Sequence, residues 1–343
     1  MKALVLDEYM KLNYRDFPDP VIEPDEVLIK VKACGICGSD VHGMDGSTGR
    51  RQPPIIMGHE ASGEIAEVGE KVQDWKVGDR VTFDSTIYPL NDWYTIHGQY
   101  NLSDNRKVLG VSPVDYRKHG AFAEYVSVPA HILYKLPDSV SFEHAAMVEP
   151  VAVAAHAINR SKIQPGQSAL VVGTGMVGMF VVKMLEIAGA NPIMAVDLDN
   201  EKLEMAKGFG ATHILNSKDG DLSENILQYT KNRGADFGFE VVGISETVNI
   251  CINNLRKGGT AVLVGNLSPA VKMPLQKIVT TELSVLGSCA INGEYEMVLD
   301  LIASGKIEVD KMISAIASLS EGESWFKRLY NKESGLNKVI LVP

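Results

Sequence analysis

A glycine-rich run at residues 172–178, Val-Gly-Thr-Gly-Met-Val-Gly, fits the pattern G-x-G-x-x-G and sharply narrows the folds open to this chain. The apolar run Ser168–Gly173 precedes it and predicts a strand covered on both faces. Met176–Ala190 follows it with the length and the apolar face of a helix. A strand, a glycine turn and a helix in this order are the context in which the pattern cradles phosphates.

The three glycines have separate roles in such a turn. Gly173 allows a tight turn, Gly175 lets the backbone approach a pyrophosphate, and Gly178 lets the helix pack closely on the strand. The next predicted strand, Pro192–Asp197, ends nineteen residues beyond Gly178. A carboxylate at this point accepts hydrogen bonds from both ribose hydroxyls and repels a 2′-phosphate, which predicts NAD rather than NADP. The competing interpretation is that the glycines only end a strand and that the Asp caps a helix.

The alternation of strands and helices continues along this part of the chain. The further predicted elements are the helices Asn200–Gly208 and Ile244–Lys257 and the strands Asp236–Val242, Thr260–Gly265 and Glu282–Gly287. Alternating elements of this kind predict an α/β fold, in which helices cover both faces of an open, doubly wound parallel sheet.

The two ends of the chain show a different pattern of predicted elements. Up to about Pro150, short β-rich runs alternate with turns, at Glu26–Ala33, Ala61–Val68, Arg80–Asp84 and Ala123–Val128. After about Asn292, helical patterns at Glu294–Ser304 and Glu321–Asn331 precede a closing strand, Lys338–Pro343. We expect this strand to return to the β-rich part. Residues 1–150 and 292–343 would then form one domain, with residues 151–291 inserted as an α/β domain.

Charge and composition exclude several classes of protein. The 343 residues include 43 acidic and 33 basic ones, a net charge of −10, which disfavours nucleic acid and anionic membrane surfaces as partners. The apolar stretches are shorter than the roughly 20 residues of a membrane span, and the N-terminus lacks the apolar core of a signal peptide. Four cysteines in a chain of this length do not make a disulfide framework. We expect a soluble, cytoplasmic protein.

Candidate metal ligands occur in three separate stretches. They are Cys34 in Cys-Gly-Ile-Cys-Gly-Ser-Asp-Val-His, His59 and Glu60 in Gly-His-Glu, and Glu149 in Met-Val-Glu-Pro-Val. A thiolate, an imidazole and carboxylates are the ligand types of an open catalytic zinc site. Taken singly, a lone Cys is usually a small core residue, a lone His a satisfied polar residue, and a Glu a helix-end charge. Spacing alone does not separate these interpretations.

Taken together and in this order, these motifs resemble the zinc-dependent medium-chain dehydrogenase/reductase family, most closely its polyol branch of the sorbitol dehydrogenase type. The resemblance covers nearly the whole chain. It implies a GroES-like β-rich catalytic domain plus a Rossmann domain. It also implies one catalytic zinc held by Cys34, His59 and Glu60, with Glu149 bound to the metal directly or through water. Cys37 matches a cysteine that is not a ligand in the family.

The resemblance implies hydride transfer between a secondary alcohol and NAD. Ser39 would pass on the alcohol's proton and His42 would exchange it with water, because the pKa of a histidine lies near the working pH. The competing interpretations are a Ser/Thr turn at Ser39 and an ordinary surface residue at His42. Cofactor contacts carried over from the family are Val177, Lys202, Val264, Gly265, Asn266 and the run Ser288-Cys289-Ala290. Each of these is also a plausible packing residue.

One stretch departs from the family pattern. Many members hold a second, structural zinc in a lobe of four cysteines, and the matching positions here are Pro89, Asp92, Thr95 and Ser103. A neutral hydroxyl is a poor zinc ligand. We therefore expect no structural zinc and a lobe held by turn chemistry and packing, to which Trp93, Tyr94 and Tyr100 could contribute.

The substrate is less constrained. The family's Arg and aromatic polyol contacts are missing from Gly287–Asn292, and Gly43-Met44 replaces an aromatic pair. A polyol or sugar derivative with adjacent hydroxyls is the leading prediction. The alternatives are threonine-dehydrogenase-like oxidation of an amino alcohol, or a non-catalytic NAD-binding relative. The apolar edge strand Glu282–Gly287 predicts pairing with another subunit, and the resemblance implies a homodimer or homotetramer.

Overall fold

A computed structural model describes residues 1–111 and 118–343 of the chain. These residues form two compact units. The first contains Met1–Glu149 and Ile291–Pro343, and the second contains Pro150–Ala290. None of the described helices has both the length and the apolar character that crossing a bilayer requires.

The first unit is rich in β-structure. Its strands, numbered along the chain, are β1 Lys2–Glu8, β2 Lys11–Asp16, β3 Glu26–Gly35, β4 Ile55–Ile56, β5 Glu60–Val68, β6 Arg80–Phe83, β7 Thr86–Ile87, β8 Lys107–Val108, β9 Tyr125–Pro129, β10 Leu133–Lys135, β17 Ile313–Ser318 and β18 Lys338–Val342. Its helices are α1 Gly38–Met44, α2 Trp93–Ile96, α3 Phe142–Ala145, α10 Tyr295–Ala303 and α11 Gly322–Tyr330. Helix α4, Val148–Ser161, begins in this unit and continues into the second.

Strand β3 shows why the sequence folds this way locally. Val27, Ile29 and Val31 are buried and alternate with residues that are half-buried or exposed, the period expected for a strand with one face on the core. The main sheet has the order β10-β6-β5-β3-β18-β17, and β9 also pairs with β3. The closing strand β18 thus pairs with β3, as the sequence predicts. This sheet carries the residues discussed below at the ends of β3, β5 and β18.

The second unit is a parallel sheet with helices between its strands. Its strands are β11 Ala169–Val172, β12 Ile193–Asp197, β13 His213–Asn216, β14 Ala235–Glu240, β15 Leu255–Leu263 and β16 Ser284–Gly287. Its helices are α5 Met176–Ile187, α6 Asn200–Gly208, α7 Leu222–Tyr229, α8 Ser245–Asn253 and α9 Leu275–Thr280. The strand order is β13-β12-β11-β14-β15-β16, and every pairing is parallel. This order reverses direction between β11 and β14, where ligands bind in open α/β sheets.

The predicted α/β fold is confirmed, with one boundary corrected. The predicted helix Ile244–Lys257 ends at Asn253 as α8, and β15 starts at Leu255, five residues before the predicted strand Thr260–Gly265. The cause is tertiary pairing, since Leu255 aligns with Ala235 of β14 before a shift in register. Strand β16 lies at the edge of the sheet, as predicted.

Candidate active site

Three side chains meet at one end of the first unit's main sheet. The Sγ of Cys37, a ring nitrogen of His59 and a carboxylate oxygen of Glu60 all lie within 4.8 Å of one another. His59 and Glu60 are buried, and Glu60 opens β5. A thiolate, an imidazole and a carboxylate this close together form a donor set that suits Zn²⁺.

The sulfur in this group belongs to Cys37, whereas the sequence analysis predicts that of Cys34. Cys34 lies within β3, aligned with Ala61 of β5, and is 1% exposed in the hydrophobic core of the unit. Its burial raises the pKa of the thiol well above the usual range, and the carboxylates of Asp40 and Glu60 raise it further. Because the side chain of Cys34 is a core residue of the strand, it does not join the three-residue group. The sulfur that the structure brings beside His59 and Glu60 is therefore that of Cys37 and not that of Cys34.

The start of α1 explains the position of Cys37. Cys37 is the N-cap of this helix, and its Sγ accepts a hydrogen bond from the backbone N of Ser39 at 3.5 Å. The carboxylate of Asp40 accepts in return from the backbone N of Cys37, which completes a capping box. The hydroxyl of Ser39 lies 3.3 Å from Cys37 Sγ and is exposed. The capping box therefore fixes a sulfur and a hydroxyl side by side at the edge of the group.

A buried ion pair behind this group involves residues that the sequence analysis did not single out. Arg51 is 2% exposed and Asp40 0%, and Arg51 Nη2 donates to Asp40 Oδ1 at 2.8 Å and to Ser39 Oγ at 3.1 Å. Asp40 Oδ1 also lies 3.4 Å from His59 Nδ1. Gly43 leaves room for the arginine, since a Cβ there would lie 2.5 Å from Arg51 Cδ.

This network sets the charge of the buried groups. Burial alone would raise the pKa of Asp40, but His59 and Arg51 hold it at about 2. Burial alone would lower the pKa of His59, but Asp40 and Cys37 raise it well above the usual range. Asp40 is therefore a fixed negative charge that orients the His59 ring, an arrangement typical of metal-binding histidines.

Two further charged residues face the group. Lys338, 2% exposed at the start of β18, donates from Nζ to Glu60 Oε2 and to the carbonyl oxygen of Ile36 at 3.2 Å. Glu149 is half-buried in the first turn of α4. Burial and the neighbouring Glu60 raise the pKa of Glu149 to about 8. Glu149 interacts electrostatically with Glu60 and His59, although it is not one of the three clustered ligands.

His42 lies on the outer side of the same helix. Ser39 and His42 are three residues apart on α1, so they share a face of the helix. His42 is exposed and lines a cavity of about 130 Å³ together with Tyr330 and Lys332. This position gives the imidazole access to solvent.

The glycine-rich turn of the second unit has the geometry of a dinucleotide site. Gly173 has φ +95°, and a Cβ there would overlap Val242. A Cβ at Gly178 would overlap the carbonyl oxygen of Gly173, whereas Gly175, the N-cap of α5, faces open space. Backbone N–H groups at the start of α5 are thereby left accessible to an anion.

Asp197 lies beside this turn at the end of β12. Its Oδ2 accepts from the backbone N of Thr174 at 2.7 Å and from Thr174 Oγ1 at 2.9 Å. Its Oδ1 accepts from the backbone N of Leu198 at 2.8 Å. The carboxylate is half-buried, so it remains within reach of a ligand at the turn.

The other predicted cofactor residues lie on the same unit. Val177 is half-buried in the first turn of α5, and Lys202 is half-buried on α6. The segment after β15 and the segment after β16 carry the rest, which are Val264, Gly265, Asn266, Ser288, Cys289 and Ala290. Both segments follow the carboxyl ends of parallel strands, where ligands bind in sheets of this type.

The lobe that contains Pro89, Asp92, Thr95 and Ser103 is held by aromatic stacking and hydrogen bonds. Asp92 caps α2 by accepting from the backbone N of Tyr94 at 3.0 Å. The rings of Tyr88 and Tyr100 stack with centroids 4.3 Å apart. The hydroxyl of Tyr100 donates to Asp84 Oδ2 at 2.7 Å and accepts from the backbone N of Gly293 at 2.8 Å.

Comparisons with known proteins agree with this fold. Residues 23–138 match the model of the alcohol dehydrogenase GroES-like domain, and residues 176–304 match the model of the zinc-binding dehydrogenases. Both domains of the predicted fold class are therefore confirmed. The chain belongs to the zinc-dependent medium-chain dehydrogenase/reductase family.

Individual relatives narrow the class further. The sorbitol dehydrogenase of Bacillus subtilis is 35% identical over 348 residues, covering 100% of this chain and 97% of that protein. The (R,R)-butanediol dehydrogenase of the same organism is 36% identical over 355 residues, covering 100% of both. A zinc-binding dehydrogenase of Sinorhizobium meliloti, solved with NADP, superimposes with a TM-score of 0.91 at 32% identity, covering 100% of this chain and 99% of that one. The chain is an alcohol or polyol dehydrogenase of this family.

Proposed function

We propose that this enzyme interconverts a secondary alcohol of a polyol or sugar derivative and the corresponding ketone, with NAD as the hydride carrier and one zinc ion per chain. The observation that carries the proposal is the group of Cys37, His59 and Glu60, called the metal group below, with the Ser39 hydroxyl beside it. The three side chains would hold the metal, and Glu149 would bind it directly or through water. A bound Zn²⁺ supplies a Lewis acid that stabilises negative charge on the substrate oxygen.

The chain's own residues supply the route for the proton. Ser39 Oγ is exposed at the edge of the metal group. It would take up the proton that the substrate hydroxyl loses while its own hydroxyl proton passes toward the cofactor ribose. Its position is fixed because Arg51 donates to it at 3.1 Å. His42, on the same face of α1 and open to solvent, exchanges the proton with water.

The cofactor assignment depends on Asp197. Its carboxylate would accept from the ribose hydroxyls and would repel a 2′-phosphate. A relative of similar fold is solved with NADP, so the preference belongs to this residue rather than to the fold. Val177, Lys202, Val264, Gly265, Asn266 and Cys289 would complete the cofactor contacts.

Several finer assignments follow from the same residues. Asp92 already accepts two backbone N–H groups, and Thr95 and Ser103 offer only hydroxyls, so we propose that the lobe binds no second zinc. The edge strand β16 would pair with a second copy in a homo-oligomer. We keep the proposed domains as residues 1–150 with 292–343 and residues 151–291, and the proposed location as the cytoplasm.

Steady-state kinetics test this function. The purified enzyme is assayed with sorbitol, xylitol and 2,3-butanediol against NAD and NADP, before and after chelation and after zinc is restored. We expect reduction of NAD by at least one of these diols or polyols, loss of activity on chelation and recovery with zinc. Activity that survives complete removal of the metal, or a preference for NADP, would contradict the proposal.

A further inference from the structure

Glu240 is a buried carboxylate that the proposed mechanism does not use. It is 0% exposed and is the last residue of β14, aligned with Val172 of β11 on one side and Leu263 of β15 on the other. The strand order reverses between β11 and β14, so Glu240 lies at the crevice where an open α/β sheet binds its ligand.

The carboxylate of Glu240 holds the turn that follows its own strand. Its Oε1 accepts from the backbone N of Val242 at 3.0 Å and from that of Gly243 at 2.8 Å. The main-chain carbonyl of Glu240 accepts from the backbone N of Val264 at 2.8 Å and of Gly265 at 3.1 Å. One residue therefore ties together the turn after β14 and the turn after β15.

The second carboxylate oxygen of Glu240 is buried with no hydrogen-bond donor among the residues that the structure describes. Cys251 of α8 lies nearby, and its own burial, together with the Glu240 charge, raises the pKa of its thiol. A buried carboxylate with one oxygen unpaired is costly to the folded state. We therefore expect Glu240 to have a function at the crevice that offsets this cost.

The turn that Glu240 holds is wedged between the two segments that would contact the cofactor. A Cβ at Gly173 would overlap Val242 Cγ2, so this side chain packs directly on the glycine-rich turn. A Cβ at Gly243 would overlap the backbone N of Asn266, and one at Gly265 would overlap the backbone N of Gly243. These backbone contacts leave no space for the turn to shift without moving both neighbours.

We infer that Glu240 is a positioning residue for dinucleotide binding. Its carboxylate fixes the backbone at Val242–Gly243. That backbone sets the spacing between the glycine-rich turn at Gly173 and the segment 264–266. The inference rests on the proposed function, because it takes these two segments as the walls of the cofactor site.

Two variants at this position test the inference. Glu240→Gln is the conservative variant, because its amide oxygen can still accept from the backbone N of Val242 and Gly243 while its NH₂ takes the place of the unpaired Oε2. Glu240→Met removes both acceptor oxygens. The matched control is Asp236→Leu, which removes a carboxylate that accepts from the backbone N of Ser168 at 2.8 Å at the opposite end of the same strand.

The readouts are NADH affinity by fluorescence titration, the zinc content and the thermal unfolding midpoint of each purified variant. We expect NADH to bind at least about tenfold more weakly to Glu240→Met, since the buried N–H groups lose their acceptor, and within about twofold of the wild type to Glu240→Gln, which keeps it. Zinc content stays at the wild-type value. Asp236→Leu lowers the unfolding midpoint but leaves the NADH affinity within about twofold.

A loss of about fivefold or more in Glu240→Gln, which keeps the acceptor oxygen, would overturn the inference whether or not Glu240→Met folds, and so would a folded Glu240→Met that binds NADH within about twofold of the wild type. An equal loss of NADH affinity in Asp236→Leu would also overturn it, since the effect would then be general destabilisation of the unit. A wild type that binds NADPH in place of NADH would instead contradict the NAD assignment. The same variants would then be compared with NADPH.

Discussion

At the scale of single residues, a buried ion pair lies against the metal group. Arg51 compensates the charge of Asp40, and Asp40 in turn lies against His59. Removal of one member of such a pair leaves an uncompensated charge in the interior, which typically costs about 3–5 kcal/mol. The same change frees the Ser39 hydroxyl from its donor and relaxes the orientation of the His59 ring.

Arg51→Met should therefore lower both stability and metal affinity. We expect the free energy of unfolding to fall by about 3–5 kcal/mol and the zinc affinity to fall by about tenfold or more. Denaturant unfolding and competition with a chelator measure the two quantities. Arg50→Met is the matched control, because Arg50 is the adjacent arginine and is exposed. Equal effects at Arg50 and Arg51 would contradict this role of the buried pair.

At the same scale, Asp84 should make stability depend on pH. Burial raises the pKa of Asp84 to about 6, despite hydrogen bonds from Thr86 and Tyr100, and Glu294 adds to the increase. The folded state thus binds the proton more tightly than the unfolded state. The contribution of Asp84 is fully present below its unfolded pKa and is lost as the pH rises through about 6.

Asp84→Asn should remove this dependence. We expect the stability of the wild type relative to Asp84→Asn to fall by about 3 kcal/mol between pH 4 and pH 7. Denaturant unfolding of both proteins at several pH values measures the difference. A difference that stays constant, or that grows in favour of the wild type with rising pH, would show that Asp84 is not a buried acid with a raised pKa.

At the scale of elements, the lobe between β6 and β9 is held by an aromatic and hydrogen-bonded anchor. Tyr100 stacks on Tyr88, and its hydroxyl joins Asp84 to the backbone of Gly293. The anchor connects three segments that are distant in sequence.

Tyr100→Phe tests this anchor. The variant keeps the stacked ring but leaves a buried carboxylate oxygen and a backbone N–H without their partner, so we expect a loss of about 1–3 kcal/mol in unfolding free energy. The zinc content should not change. Tyr94→Phe, in the same lobe, is the control, because its hydroxyl has no hydrogen bond within the described part of the chain. A loss in Tyr94→Phe as large as that in Tyr100→Phe would refute the anchor.

Most elements of the second unit were predictable because their apolar runs are long and their glycine turns are distinct. Strand β13 and helices α7 and α9 were not predicted, and neither was β17 of the first unit. β13 has four residues, three of them only half-buried, and α9 has no buried residue, so neither carries a strong apolar pattern. Such short elements are stabilised by their neighbours rather than by their own sequence.

The site was less predictable than the fold. The resemblance identified the motif that contains both Cys34 and Cys37. Which of the two sulfurs lies outside the hydrophobic core depends on where β3 ends and on the capping box of α1. Arg51 gave no signal, because nothing in the local sequence marks an arginine whose partner Asp40 lies eleven residues away.

At the scale of the whole molecule, the chain combines a metal group built at the ends of β3, β5 and β18 with a glycine-rich crevice on a separate parallel sheet. The last strand of the chain supplies Lys338 to Glu60 in the first unit. Residues from both ends of the sequence therefore lie at the metal group. We propose that each chain binds one zinc there, with Cys37 as the thiolate ligand.

The zinc content of purified protein tests this account most directly, measured by mass spectrometry on the wild type, Cys37→Ser and Cys34→Ser. The same substitution is made three residues apart, once in the metal group and once in the core. We predict about one zinc per chain in the wild type and in Cys34→Ser, and loss of the metal in Cys37→Ser. Zinc that survives in Cys37→Ser but is lost in Cys34→Ser would contradict the account.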